Sequence, residues 1–370
     1  MIFSLPMAES FVGPSTAIRF RREGQRRKDH LENGSRGVTE FVQDLSVREE
    51  SSESTARQLL LLSAALYGTA FETVKVLDDR LGVGLSTCLR FAFAALSMSP
   101  FLLAPLEQKE EPFASQPAPR EKPITTKISI GLAGMEVGFY NAFGYLFQAI
   151  SLKTTSAGKS AFICSLALVT VPFLDYVSGK PLTKRQIAGA CIATVGVGAL
   201  ELGGGVEFGK GDVLSLLQPL FFGIGFWRME NAMRRFPYEA RRLASVQLIT
   251  IFTVSVAYLI CWSPLLTDSC SILPSYACFQ DPVTLSLLLY SGVITTALTV
   301  YLETVAMRSL SAAETTLIFS TEPLFGAGFA YVVANECLGS EGLLGAVLII
   351  AGCLISNMGT SNERDKSTPI

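Results

Sequence analysis

Glu322 stands near the midpoint of an apolar run over residues 313–334, with Pro323 directly after it. An ionised side chain at membrane depth costs about 3 kcal/mol on insertion scales, so a chain that keeps one is using it. The missing N–H of a proline frees a backbone carbonyl and can kink a helix. An acid beside such a kink suits a substrate amine or a coupling proton; a tie to a Ser or Tyr of a neighbouring helix is the competing reading. The run over 128–150 places Tyr140 and Asn141 at its centre and Glu136 about one turn away. Arg90 lies in the run 84–104, and Glu72 and Lys75 in the run 58–77, all three towards one side, where they can form an ion-paired gate or a structural staple. The candidate ligand-binding set is therefore Glu136, Tyr140, Asn141 and Glu322 around a midplane cavity, with Arg90 and Glu72 towards its outer mouth. Asp175, Glu303 and Arg228 fall near helix ends, where charged side chains snorkel to the interface.

Several chemistries are excluded by what is missing. The single histidine, His30, lies outside the apolar runs, so neither an HExxH metalloprotease nor His-based acid/base catalysis is expected within them. There is no GxxxxGK[ST] phosphate loop and no CxxC pair. No catalytic residue, metal or cofactor is expected, and no basic face suggests nucleic acid. Five of the eight cysteines sit in apolar runs as ordinary buried thiols, while Cys270 and Cys278 share one polar loop and pair only if it faces an oxidising compartment.

The elements that hold these residues are long and apolar. Charged residues make up 17% of the chain, against about 25% in soluble domains, and mean hydropathy is +0.40. Ten runs of near-bilayer length are expected to be transmembrane helices, at 58–77, 84–104, 128–150, 158–178, 186–202, 211–228, 242–262, 284–305, 313–334 and 341–358. Loops on the N-terminal side of such a bundle contain thirteen Lys and Arg, and the opposite loops only Arg80, Lys153, Lys159 and Lys210. That bias puts both termini on the cytosolic-equivalent side of a plasma membrane, an endomembrane or a plastid envelope. Residues 1–57, with Arg19, Arg21, Arg22, Arg26, Arg27 and Lys28, are expected to be a disordered tail or a transit peptide, and 359–370 a second tail.

A shift of 155 residues brings the two halves into register. Tyr67-Gly68 then meets Phe222-Gly223, Gln148 meets Glu303, Ser156-Ala157 meets Ser311-Ala312, and Ser165 meets Ser320. After one extra residue, Gly189-Ala190 meets Gly345-Ala346 and Gly196 meets Gly352. Each half, 58–204 and 205–358, holds five helices, an odd number, so the second must enter the membrane from the other side. The expected fold is an all-α polytopic membrane protein of two inverted five-helix repeats. That architecture belongs to secondary transporters working by alternating access; the alternative is a non-transporting scaffold or sensor on the same fold. Its partners would be the lipid bilayer and a small-molecule substrate, with a coupling proton and a homodimer left open.

The residues Leu66-Tyr67-Gly68, Leu89-Arg90-Phe91, Thr155-Ser156-Ala157, Pro172 and Gly189-Ala190 with Gly196 resemble the EamA-type members of the drug/metabolite transporter superfamily. Leu310-Ser311-Ala312, Glu322-Pro323, Asn335-Glu336 and Gly345-Ala346 with Gly352 repeat the theme in the second half. The resemblance covers residues 58–358 and departs at Lys180, where the family usually has Glu. It implies export or exchange of amino acids, nucleotide-sugar-like metabolites or similar solutes. The related sugar-phosphate translocators need several intramembrane cations, and only Lys75 and Arg90 are available here.

Overall fold

Apolar runs give a backbone in lipid no partner but itself, so helix is the economical answer, and the computed structural model is helical throughout the residues it describes: 53–103, 123–179, 184–202, 209–261, 281–334 and 340–364. All of them belong to the unit Ser52–Ile370. In chain order the helices are α1 (Glu53–Leu81, interrupted at Thr69), α2 (Val83–Leu102), α3 (Pro123–Ser151) and α4 (Ala157–Ser165 and Ala167–Val177). Then follow α5 (Lys184–Leu202), α6 (Lys210–Ser215 and Leu217–Arg235), α7 (Ala240–Cys261) and α8 (Pro282–Ala306). The last are α9 (Ala312–Phe319 and Glu322–Ala334) and α10 (Ser340–Arg364). Five of these stretches, Glu53–Leu81, Val83–Leu102, Lys159–Val177, Ala240–Cys261 and Pro282–Ala306, are long and apolar enough to cross a membrane by length and composition. Leu96, Leu132, Phe139, Phe173, Val195 and Ile260 point outward from the bundle, as lipid-facing residues do.

Several boundaries differ from hydropathy. α1 begins at Glu53 and takes in the last five residues of the expected tail, α3 begins at Pro123, α6 runs to Arg235 and α10 to Arg364, because polar residues continue a helix that apolar ones begin. Residues 1–52, Lys180, Cys270, Cys278 and Asn335-Glu336 lie outside the described residues.

Local chemistry accounts for the breaks. Pro323 cannot donate to Phe319, so α9 stops at Phe319 and restarts at Glu322, with Thr321 N–H bonded only three residues back, to the Ile318 carbonyl at 3.0 Å. α4 breaks at Leu166, which is Thr321 under the 155-residue shift. Ser156 and Ser311, another matched pair, cap α4 and α9 by accepting the N–H of Lys159 and of Glu314. Asp281 caps α8; the Thr284 hydroxyl and two backbone N–H groups hold its carboxyl below the usual aspartate range, and Arg80 at the end of α1 donates to it at 2.9 Å.

Matched positions also meet in space. A Cβ on Gly196 in α5 would lie 2.7 Å from the Ile349 nitrogen and 2.8 Å from the Gly345 oxygen of α10. A Cβ on Gly352 would lie 2.8 Å from the Ala193 nitrogen and 2.7 Å from the Gly189 oxygen. With the one-residue correction, Ala193 corresponds to Ile349 and Gly189 to Gly345, so the contact reads the same from either helix. As the α5 partner moves from 189 to 196, the α10 partner moves from 352 back to 345, so the helices run antiparallel. At the start of α1, Ala56 and Leu60 pack on Ala306 and Leu310, the entry to α9. The last part of α6 reaches that same entry, where Glu230 accepts the Ala312 N–H at 2.8 Å. α6 therefore ends where α1 begins.

The glycine contact is testable. Gly196→Val and Gly352→Val should each cost about 1–3 kcal/mol, since both displaced neighbours are backbone atoms. Gly131→Ala, whose Cβ would meet nothing within 4 Å, serves as the control. A Gly196→Val protein that melts with the wild type in detergent would refute close packing here.

Candidate functional site

A cavity lies where α1, α3, α4, α6, α8 and α9 converge, with about 580 Å³ free of protein atoms counted out to its open mouth. α3 contributes Asn141, Tyr145 and Gln148 to its lining, at i, i+4 and i+7. α8 contributes Glu303 and the second segment of α9 contributes Glu322, so two carboxylates face one space. Tyr67, Phe222, Phe226 and Phe319 complete the walls with Cys164, Ser165, Ala167 and Thr316. Under the 155-residue shift, Tyr67 corresponds to Phe222, Gln148 to Glu303, Cys164 to Phe319 and Ala167 to Glu322. Most of the lining is thus one set of positions used twice.

The two acids differ in their surroundings. Glu303, 3% exposed, accepts the Tyr67 hydroxyl at 3.0 Å. The Glu322 carboxylate has no hydrogen-bond or ion-pair partner among the described residues. Aromatic rings stand around them: Tyr67 edge-on to Phe319 at 5.6 Å, Phe226 to Phe319 at 5.5 Å and Tyr145 to Phe222 at 4.9 Å. Carboxylates ringed by π-faces suit a cationic group.

Of the six residues expected at the site, Asn141 and Glu322 line the cavity together. Asn141 is held there by Gly225 of α6: a Cβ at 225 would overlap the Asn141 amide oxygen, which has no donor among the described residues. Arg90, 5% exposed, stands behind the wall with its guanidinium over the rings of Phe91 at 4.7 Å and Tyr145 at 5.0 Å. The ion-paired cluster expected of Glu72, Lys75 and Arg90 is not formed among the described residues, and Glu72 lies exposed on the outer side of α1. Glu136 pairs with Arg228 of α6, whose Nε donates to it at 2.6 Å, and neither it nor Tyr140 lines the cavity. Helix geometry explains this. Glu136 is five residues from Asn141 and Tyr140 one residue from it, so at 100° per residue both point elsewhere.

Three residues read as snorkelling do otherwise. Glu303 is buried in the cavity wall, Asp175 is buried and accepts the Trp227 indole N–H at 3.1 Å, and Arg228 is the partner of Glu136. Glu303 had a signal in the sequence: it matches Gln148, a second polar residue at the same place in an apolar helix. No group of three or more His, Cys, Asp or Glu among the described residues could hold a metal ion.

Comparison with known proteins places this arrangement. The EamA-like transporter family matches residues 55–200 and again residues 209–358. The chain is 25% identical over 329 residues to an "Uncharacterized transporter" of Archaeoglobus fulgidus, covering 88% of this chain and 89% of that one. It is 24% identical over 305 residues to a "Probable amino-acid metabolite efflux pump" of Salmonella typhimurium, covering 81% and 94%. One solved structure, titled only as the crystal structure of a protein, superposes with a TM-score of 0.62 at 14% identity, over 86% of this chain and 100% of that one. At that identity it speaks for the fold alone.

Proposed function

We propose, since the chain belongs to the EamA-like transporter family, that this multi-pass membrane transporter is a secondary exporter or exchanger of a small, ammonium-bearing metabolite. The observation that carries the reading is the cavity: two acids, two amides and a ring of aromatics, at one place, drawn from matched positions of both halves. In this reading Glu322 and Glu303 receive the substrate ammonium or a coupling proton, and Asn141 and Gln148 orient its polar remainder. The aromatic walls cover its apolar part. Arg90 braces Tyr145 from behind the wall. The amino-acid metabolite named for the Salmonella relative is one member of that substrate class.

The fold reading goes with it: ten crossings, as two inverted five-helix repeats over 58–204 and 205–358, with both termini on the cytosolic-equivalent side. The antiparallel contact of α5 with α10, the opposed directions of α1 and α6, and the breaks at matched positions of α4 and α9 support inversion. Discontinuous helices beside a central cavity are where such transporters hold their ligands.

The test is flux in proteoliposomes. Counterflow of a panel of amino acids, biogenic amines and nucleotide-sugar-like metabolites should give saturable exchange of an ammonium-bearing member. Reporter tags at residues 1 and 370 should be equally protected in sealed vesicles. A correctly inserted protein that moves no member of the panel, or tags protected on opposite sides, would refute the reading.

A further inference from the structure

We propose that two ion pairs, Arg57–Glu314 and Lys159–Asp212, are the latches that close the cavity at its two ends and are broken alternately as the protein cycles. This rests on the two-repeat transporter reading above. Arg57 of α1 faces Glu314 of α9 at 3.8 Å, and Lys159 of α4 faces Asp212 of α6 at 3.9 Å. Under the 155-residue shift Arg57 corresponds to Asp212 and Lys159 to Glu314. The same two positions are therefore paired twice, with the signs exchanged, and each pair joins one half of the chain to the other.

The pairs lie at opposite ends of the bundle. Arg57–Glu314 joins the start of α1 to the start of α9, which is where α6 ends. Lys159–Asp212 joins the start of α4 to the start of α6, at the far end. In each pair the acid is the buried, fixed member and the base the more exposed one, and Arg57 also donates to Glu53 of its own helix at 3.3 Å. Glu314 takes the N–H and hydroxyl of Ser311, Asp212 takes the Gly209 N–H, and each acid is 4% exposed. The basic side chains are 31% and 26% exposed and reach their acids from the edge. A base that swings away exposes a carboxylate that burial disfavours, so breaking the pair and admitting water are one event.

The seams behind the latches are unlike. Ala56, Leu60 and Ala64 meet Ala306, Leu310 and Ile318 behind Arg57–Glu314, an apolar closure. Behind Lys159–Asp212, Gln218 donates to the hydroxyls of Ser151 and Ser160, and Thr155 Oγ1, Ser215 Oγ, Gln218 Oε1 and Asp212 Oδ1 are buried without partners among the described residues. Water entering that seam supplies four missing hydrogen bonds, whereas water entering the other meets only Arg57 Nε and Glu314 Oε1 and otherwise wets hydrocarbon. The Lys159–Asp212 end is therefore the one that opens more readily.

Cys164 lines the cavity between the latches and reports on both. With the other seven cysteines replaced by serine, its reaction with a membrane-impermeant maleimide is measured in sealed vesicles of each sidedness. Arg57→Gln should raise labelling several-fold from the face carrying the α1 N-terminus. Lys159→Gln should raise it from the opposite face. Arg57→Lys and Lys159→Arg, which keep the charge and leave both helix caps intact, should label as the parent does. Labelling that rises from the same face in both Gln variants, that changes in neither, or that rises equally in the conservative variants would overturn the proposal. Flux on the same proteins separates the two readings. Opposite-face labelling in a chain that carries no solute leaves the latches standing without transport. A transporting chain with unmoved labelling rejects the latches alone.

Discussion

Glu322→Gln should reduce exchange in proteoliposomes by about 30- to 100-fold while the protein stays inserted and folded. The size follows from what the substitution removes. A hydrogen bond to a charged group is worth about 2–3 kcal/mol, and each 1.4 kcal/mol is about tenfold. No described residue pairs with the Glu322 carboxyl group, so an amide of the same shape should leave melting unchanged or raised, because a buried ionisable group is gone. Glu303→Gln should lose less, since its side chain is already engaged by the Tyr67 hydroxyl and an amide oxygen still accepts that bond. The ranking is what identifies Glu322 as the ligand's own acid. Equal losses, or wild-type exchange in Glu322→Gln, would move the binding role to another wall of the cavity.

Gly68→Val should be among the most damaging single substitutions in the bundle. A Cβ at Gly68 would sit 2.7 Å from the Gly326 nitrogen and 2.8 Å from the Glu322 oxygen, both backbone atoms that cannot rotate aside. Overpacking of this kind costs about 3 kcal/mol, against a whole stability of about 5–15 kcal/mol. The matched glycine provides the comparison. A Cβ at Gly223 would meet Thr170 Cγ2 at 2.7 Å and Thr170 Cβ at 2.9 Å; a rotamer change relieves the first contact, and no backbone atom stands in the way. Gly68→Ala should therefore melt well below Gly223→Ala. It should also lose transport beyond its loss of folded protein, because the strain falls on the segment that presents Glu322. Identical melting of the two alanine variants would show that the α1–α9 crossing has more slack than its distances state.

The helices of the described residues and their order were legible as apolar runs, although only five stretches are long and apolar enough to cross a membrane by those measures alone. The repeat was legible too, and it singled out the glycines of α5 and α10 that come to face each other. What hydropathy does not carry is azimuth. Depth along a helix set Glu136, Tyr140 and Asn141 side by side, but only Asn141 turns towards the cavity, and no neighbouring residue in the sequence says which way that is. Glu303 was misplaced for the complementary reason. It lies three residues from the end of α8, where a charge ordinarily escapes to water, but Tyr67 and the entry to α9 close over it. Arg90 had the right element and the wrong partner: two aromatic rings, not a carboxylate, receive it. Contacts between distant segments decide each of these, and the register of the two halves was the one sequence feature that looked across such distances.

The exchanged signs at the cavity's two ends also settle which half can sit beside which. The first half offers a cation at both matched positions, Arg57 and Lys159, and the second an anion at both, Asp212 and Glu314. Two copies of the first half, assembled about the same axis, would set Arg57 against Lys159 at each end; two copies of the second would set Asp212 against Glu314. Either pairing buries like charges face to face, a penalty that disfavours it without any change to the apolar packing. Only unlike halves satisfy both ends at once. The duplication has thus become a pair of complements, each unable to replace the other, although their helices still follow one plan.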